Sequence, residues 1–272
     1  MTLLVRDEED ILASNIEYHL ARGVDFILAT NNLSLDSTEQ ILDFYRKKGV
    51  LDYNNETTDD YSQSKWVTVM ARRAFHEFDA DWVINNDADE FWWPEVDGSL
   101  KDVLRNVPVN ESVVSASRFN FHFNPASKRP FFIDNQTVRW NVPSRSKVCH
   151  RGISDIEIGQ GNHHVYLYGE KLNASNAPIT IFHFPIRSYQ QYERKIVNGG
   201  RALFNNISIN PKFGQHWKKD YHLYLEGRLR ENFDKKILTD EKIEDGIVEG
   251  IFVRDFRIKQ FFDEKIGLPF GK

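Results

Sequence analysis

The stretch WVINNDADEFWWP, residues 82–94, decides how this chain is read. Apolar Trp82, Val83 and Ile84 run into Asn85 and Asn86, as a buried strand does on leaving the core. Asp87, Asp89 and Glu90 follow at once, and then an aromatic block, Phe91, Trp92 and Trp93. Charges beside a buried strand are costly unless something pairs with them. Two carboxylates spaced Asp-x-Asp lie close enough to share one hard divalent cation, such as Mg²⁺ or Mn²⁺. A solvated loop and a helix N-cap are the other readings of the same letters. The pattern recurs at Asp79 and Asp81, ahead of the strand, where a turn from helix to strand accounts for it. Only Asp87 and Asp89 stand at the carboxyl end of a strand.

Working outward, the first 90 residues alternate between short apolar runs and helical periodicity. Residues 3–5 and 24–29 read as strands, as do 50–53 and 82–85. Ile11, Leu12, Ile16 and Leu20 recur at helical spacing up to Gly23, with Asp7 to Asp10 at the helix N-terminus, where carboxylates are favoured. Further helices are predicted over about 37–48 and 60–78. This alternation predicts a parallel sheet with helices on both faces. Ligands bind beyond the carboxyl ends of such strands. Three polar groups converge there: Arg6, Asp7 and Glu8 after the first strand, Asn31 and Asn32 after the second, and Asp87 to Glu90 after the fourth.

Residues 95–185 lose the regular alternation and read as added strands and loops over the site. Residues 186–272 are helical and charged. The chain therefore divides into a core, 1–185, and a helical C-terminal region, 186–272, packed on the same domain. Net charge is −5 and pI about 6.0, with no basic stripe, so nucleic acid is not an expected partner. One cysteine, Cys149, permits no internal disulfide and reads as a packed thiol. No run reaches the roughly 18 apolar residues of a membrane span, and the first ten residues lack a signal peptide's apolar region. A cytoplasmic protein is expected, with membrane contact at most peripheral.

Several stretches, in order, carry a resemblance over most of residues 1–225. They are LLVRDEEDILASNIEYHLARGVDFILATNNLSLDST, DADWVINNDADEFWWP, SKVCHRG, GQGNHHV and HFPIRSYQQYERKIVNGGRA. Together they resemble the family 2 glycosyltransferases, in particular a bacterial branch with the DADEFW signature. That resemblance implies a GT-A-type, Rossmann-like α/β fold: a mixed, mostly parallel sheet flanked by helices, with the helical region after it. It implies inverting transfer of a sugar, hexosyl or related, from a nucleoside-diphosphate donor to a glycan or lipid-linked glycan acceptor, in bacterial surface glycan assembly. Asp87 and Asp89 match the family's metal and diphosphate motif, and the resemblance suggests His183 as a third ligand. Arg6, Asp7 and Glu8 would approach the nucleotide base, Asn31 the base or ribose, with Asp36 in the same loop.

A metal at Asp87 and Asp89 would neutralise charge building on a leaving nucleoside diphosphate. Cations flank the motif: Lys147 and Arg151 before the segment ISDIEIG, Arg187 and Lys195 after His183, and Lys65 in the long helix. Each is a candidate for the diphosphate or an anionic acceptor; a solvated face is the plain alternative. A general base near the acceptor hydroxyl has three candidates, Asp155, Glu157 and His163, which the residues alone do not rank. Two other functions use the same carboxylates. A metal-dependent phosphohydrolase or nucleotidyltransferase would cleave or exchange the donor without an acceptor. A non-catalytic nucleotide- or glycan-binding module would bind without turnover.

Overall fold

The computed structural model describes residues 1–123, 137–205 and 214–266. Its first half is an alternating run: β1 (Thr2–Val5), α1 (Leu12–Ala21), β2 (Ile27–Asn32), α2 (Thr38–Lys47), β3 (Leu51–Glu56), α3 (Gln63–Phe78) and β4 (Trp82–Asp87). The apolar runs at β1 and β2 are buried on both faces, as strands covered by helices are. These four strands pair in parallel in the order β3-β2-β1-β4. All their carboxyl ends lie on one edge.

The second half turns the sheet mixed. It comprises β5 (Glu90–Pro94), α4 (Leu100–Arg105), β6 (Val113–Asn120), β7 (Val138–Trp140), β8 (Ser144–Arg151), β9 (Ile156–Ile158), β10 (Val165–Leu167), β11 (Glu170–Lys171) and β12 (Ser175–His183). The eight-stranded sheet continues β4-β8-β6-β12-β5, with β8 antiparallel to both neighbours and β12 parallel to β6. Strands β9, β10 and β11 form a small separate sheet. The fold is thus the mixed, mostly parallel α/β sheet flanked by helices that the sequence pattern predicts.

Beyond β12 come α5 (Tyr189–Asn205), α6 (Gln215–Leu225), α7 (Leu229–Asp234), α8 (Asp240–Val248), β13 (Phe252–Arg254) and α9 (Arg257–Phe261). Ile258, Phe261 and Phe262 enter the same core cluster as Leu3, Tyr18 and Phe91. Gly199 and Gly200 sit inside α5, where a Cβ would meet Trp217 at 2.5 Å and Tyr221 at 2.6 Å. The glycine pair therefore serves the close crossing of α5 and α6, not a helix stop.

Two sequence expectations shift. The acidic run Asp7 to Asp10 is not the first turn of α1, which starts at Leu12 without an acidic residue. Asp7 instead takes a left-handed backbone, φ 55, a conformation costly outside glycine and frequent at functional sites. Strand β4 also runs on to Asp87. Phe91 and Trp92 form β5 and are fully buried. They belong to the core.

Candidate active site

The Asp-x-Asp turn is held by a buried polar network, which explains the asparagines before it. Asn86 donates to Asn15 Oδ1 at 3.0 Å and accepts from Trp92 Nε1 at 3.0 Å. Asn15, on α1, donates to the carbonyls of Ala88 at 2.9 Å and Glu90 at 2.8 Å. Asn85 accepts from Thr2 at 3.0 Å. The bonds of Asn15 and Asn86 specify one geometry, while Asn85 Nδ2 is buried without a partner among the described residues. The register of β12 against β5 pairs His183 with Glu90, and Phe184 N donates to Asp89 O at 2.8 Å. Sheet pairing therefore delivers His183 to the turn from far along the sequence.

A cavity of about 730 Å³ opens at this edge. It is lined by Arg6, Asp7, Glu8 and Asn32 after the parallel strands, by Asp87 and Asp89 at the turn, and by His183. Arg118 and Lys147 line it from β6 and β8, and Lys195 and Asn198 from α5. Tyr61, Trp66 and Trp217 supply aromatic wall. Thus α5 and α6 close the side of the cavity opposite the sheet edge.

Ion pairs dominate its electrostatics. Lys147, only 1% exposed, pairs with Asp87 and lies 3.3 Å from Glu90 Oε1. Glu90, fully buried, also accepts from Arg118 at 2.8 Å. Asp89 accepts from Lys195 at 2.7 Å, with His183 Nε2 at 3.4 Å and Arg187 at 4.0 Å. Burial would push the Asp89 carboxyl up, but Lys195, His183 and Arg187 together hold it well below the usual range. Arg187 pairs with Asp10 at 2.7 Å and with Glu8 at 2.5 Å. Burial nonetheless raises Glu8 to about 7, opposed by Arg187 and reinforced by Asp89.

The sequence candidates distribute unevenly over this geometry. Arg6, Asp7, Glu8, Asp87, Lys147, Asp89, His163, His183 and Lys195 line the cavity. Arg187 stands behind it, joined to Glu8 and Asp89. The others lie elsewhere. Asn31 donates to Asn55 at 2.9 Å within the sheet edge. Asp36 accepts from Thr38 N at 2.9 Å and Glu9 N at 3.1 Å, holding two loops together. Lys65 is exposed on α3. Arg151 sits at the opposite end of β8, donating to the Glu111 carbonyl at 3.0 Å. Asp155 and Glu157 are exposed, bonded to Ser154 at 2.8 Å and paired with Arg72 at 3.7 Å respectively. Of the three base candidates, only His163 reaches the cavity.

His163 follows a tight turn at residues 160–162 rather than lying in a strand. Its Nδ1 meets the Ser146 carbonyl at 2.7 Å, so Nδ1 carries the hydrogen and Nε2 the free lone pair. Burial, with Lys147, Arg145 and Arg118 nearby, lowers its pKa to about 4. Asn162, in the same turn at φ 60, donates to Asp87 at 3.1 Å and accepts from Gln63 at 2.7 Å. Arg118, Gln63 and Asn162 are not among the sequence candidates. Alternation along β6 is the one signal that could have flagged Arg118; the other two are placed only by the packing of α3 on that turn.

The turn also gathers ligand types that suit a divalent ion. Asp89, Glu90 and His183 each offer a donor atom within 4.8 Å of the others. Among the described residues, Glu90 Oε2 is buried with no hydrogen-bond partner, an orphan that a cation would satisfy. Two carboxylates and an imidazole suit Mn²⁺ or Mg²⁺ in their donor types. Asp87 lies beside this set, turned towards Lys147 and Asn162.

A polar cavity beyond the carboxyl ends of parallel strands, built on the Asp-x-Asp turn, is where α/β proteins of this kind bind their ligands. The family profile of "Glycosyltransferase family 92" matches residues 1–240. The chain belongs to that family and is a glycosyltransferase. The motifs quoted above were compared with family 2; the match is to family 92, so the two readings meet at the level of sugar transfer. No curated protein matches the chain. Among solved structures, S. aureus TarS 1-349 in complex with UDP is similar at 13% identity and TM-score 0.42, over 89% of this chain and 75% of that one. The complex of the same protein with UDP-GlcNAc is similar at 14% identity and TM-score 0.42, over 89% and 76%. No helix among the described residues is long and apolar enough to cross a membrane.

Proposed function

We propose that the 730 Å³ cavity binds a nucleoside-diphosphate sugar and transfers its sugar, hexosyl or related, to an acceptor hydroxyl with inversion, in a metal-dependent reaction. The observation that carries this reading is the Asp89, Glu90 and His183 set with its unpartnered Glu90 oxygen. Charge supports it. The cations Arg118, Lys147, Arg187 and Lys195 already face the carboxylates Glu8, Asp10, Asp87, Asp89 and Glu90. That cluster has no surplus positive charge for a diphosphate. Asp89, Glu90 and His183 would hold the divalent ion, which would supply that charge at the leaving diphosphate.

The chain's own groups do the rest. Lys147, Lys195 and Arg187 are poised to exchange a carboxylate partner for a phosphate oxygen. Arg6 and Asn32 line the end nearest β1 and β2, where the nucleoside is expected, together with Asp7 and Glu8. His163 presents a neutral Nε2 that accepts a hydrogen bond from the acceptor hydroxyl and orients it. The described chain from residue 186 onward closes the cavity and packs on the core as part of one domain. The setting proposed is assembly of a bacterial surface glycan from the cytoplasmic side; it rests on the likeness of DADEFWWP and the later motifs to the bacterial family 2 branch.

The test is thermal shift with UDP, GDP, ADP, TDP and CDP, each with Mn²⁺, with Mg²⁺ and with EDTA. Binding to the folded state raises apparent stability by mass action. One nucleotide should stabilise the protein in a metal-dependent way. No shift with any of them, in folded protein, would defeat the reading. Donor cleavage without an acceptor would favour a phosphohydrolase or nucleotidyltransferase, and binding without turnover a non-catalytic module.

A further inference from the structure

A second cavity, about 310 Å³, opens beside the first. The two share Arg145 and His163 in their walls. Its remaining wall includes Ser115, His164, Lys171 and Asn173, over an apolar floor of Val113, Val148, Val165 and Leu172. The polar rim and apolar floor match the two kinds of surface that a sugar ring offers.

Its charge is unlike that of its neighbour. No carboxylate lines it among the described residues. Among the described residues, Arg145 bonds only the imidazole of His164, at 2.9 Å, and Lys171 has no side-chain partner. Both cations act on His164, whose pKa they lower after the larger effect of burial. In the first cavity, Arg6, Arg118, Lys147, Arg194, Lys195 and Lys236 all face a carboxylate. Arg145 is the exception there, and it is the arginine at the junction.

We infer that this second cavity is the acceptor subsite, and that it takes a sugar bearing a negative charge, a uronic acid or a sugar phosphate, held by Arg145 and Lys171. The inference rests on the donor reading of the first cavity. An acceptor seated there meets the donor across His163. The Nδ1 bond to Ser146 leaves the Nε2 lone pair free, and His163 lines both cavities, so Nε2 receives the acceptor hydroxyl there. Gly161 keeps the approach open: a Cβ on it would stand 3.0 Å from His163 Nε2.

The experiment titrates the full chain with methyl glucoside, methyl glucuronide and glucose 6-phosphate by saturation-transfer NMR, with and without the nucleoside diphosphate that binds best. The wild type should bind a charged probe at least about tenfold more tightly than methyl glucoside, the scale of one charge-assisted hydrogen bond. The better of glucuronide and phosphate identifies the charged group. Lys171→Glu should erase that preference while nucleoside-diphosphate binding stays as in the wild type. Equal affinity for neutral and charged probes, no binding of any probe, or a preference that survives Lys171→Glu, overturns the inference. If charged probes are preferred but no nucleoside diphosphate binds, the anionic-sugar site stands, while the donor reading and with it the acceptor role fall. If the diphosphate binds and the probes do not discriminate, the donor reading stands and the subsite falls.

Discussion

The two cavities share a wall and differ in how their charges are satisfied. In the larger one, cations and carboxylates are partly or fully buried and locked together: Lys147 with Asp87 and Glu90, Lys195 with Asp89, Arg187 with Glu8 and Asp10. In the smaller one, Arg145 and Lys171 stand exposed with no carboxylate opposite them among the described residues. The difference teaches how one polar surface serves two tasks. A buried charge must have a partner before any ligand arrives, since removing one member of such a pair costs about 3–5 kcal/mol. An exposed cation needs none, so water holds it until an anionic ligand displaces that water. The first cavity must therefore exchange partners to bind, whereas the second only adds one.

The largest effect should come from breaking the paired side at its centre. Asp89→Asn removes the carboxylate shared by Lys195, His183 and Arg187. Sugar transfer should fall by about 10³-fold or more with circular dichroism unchanged; turnover near the wild-type rate would remove Asp89 from the reaction. Lys147→Met comes next, and it tests the pairing energy directly. It leaves Asp87 without its lysine and Glu90 with Arg118 alone. Urea unfolding should show a loss of about 3–5 kcal/mol. A loss under ~1 kcal/mol would mean that the buried pairs are not what distinguishes this cavity.

A pH series sharpens the same contrast. Burial raises Glu8 to about 7, with Arg187 and Lys195 opposing, Asp89 and Asp10 reinforcing. The folded chain therefore keeps this proton to higher pH than the unfolded chain does. The stability that proton confers is complete below the ordinary carboxyl range and is lost as pH rises through about 7. Nucleoside-diphosphate affinity should fall over the same window, because ionised Glu8 competes for Arg187. Glu8→Gln should flatten both curves; an unaltered slope would assign the titration to another group. The smallest effect is expected on the unpaired side. Lys171→Ala should change the unfolding free energy by no more than about 0.5 kcal/mol, as exposed substitutions do. A larger loss, read by the same urea titration, would show that Lys171 has a structural partner and would erase the distinction between the cavities.

Much of the larger cavity was legible in the chain, and the reason lies in local periodicity. Short apolar runs alternating with helical spacing implied parallel strands, and parallel strands put Arg6, Asp7, Glu8, Asn32, Asp87 and Asp89 on one edge. Asn31, one step before Asn32 on β2, bonds within the sheet edge because a one-residue step along a strand reverses the side chain, and Asp36, in the loop beyond, is taken up by the backbone N–H groups of Thr38 and Glu9. Asp155 and Glu157 fall near the site in sequence but on the outer side of a small sheet of their own. Arg151 is four residues from Lys147 on β8, and that length of strand, about 13 Å, carries it to the end of β8 away from the cavity.

By itself, then, the sequence determined the alternation of elements, the polar edge of the sheet and the position of the Asp-x-Asp turn at the end of β4. These follow from local spacing, from which neighbours along the chain need no distant partner. Only the tertiary structure decided which charges meet. The register of β12 on β5 set His183 opposite Glu90, the burial of β8 made Lys147 the partner of Asp87, and the packing of α5 over the sheet edge brought Lys195 to Asp89. Electrostatic pairing depends on distance and on exclusion of water, and neither quantity is set until strands from opposite ends of the chain have packed.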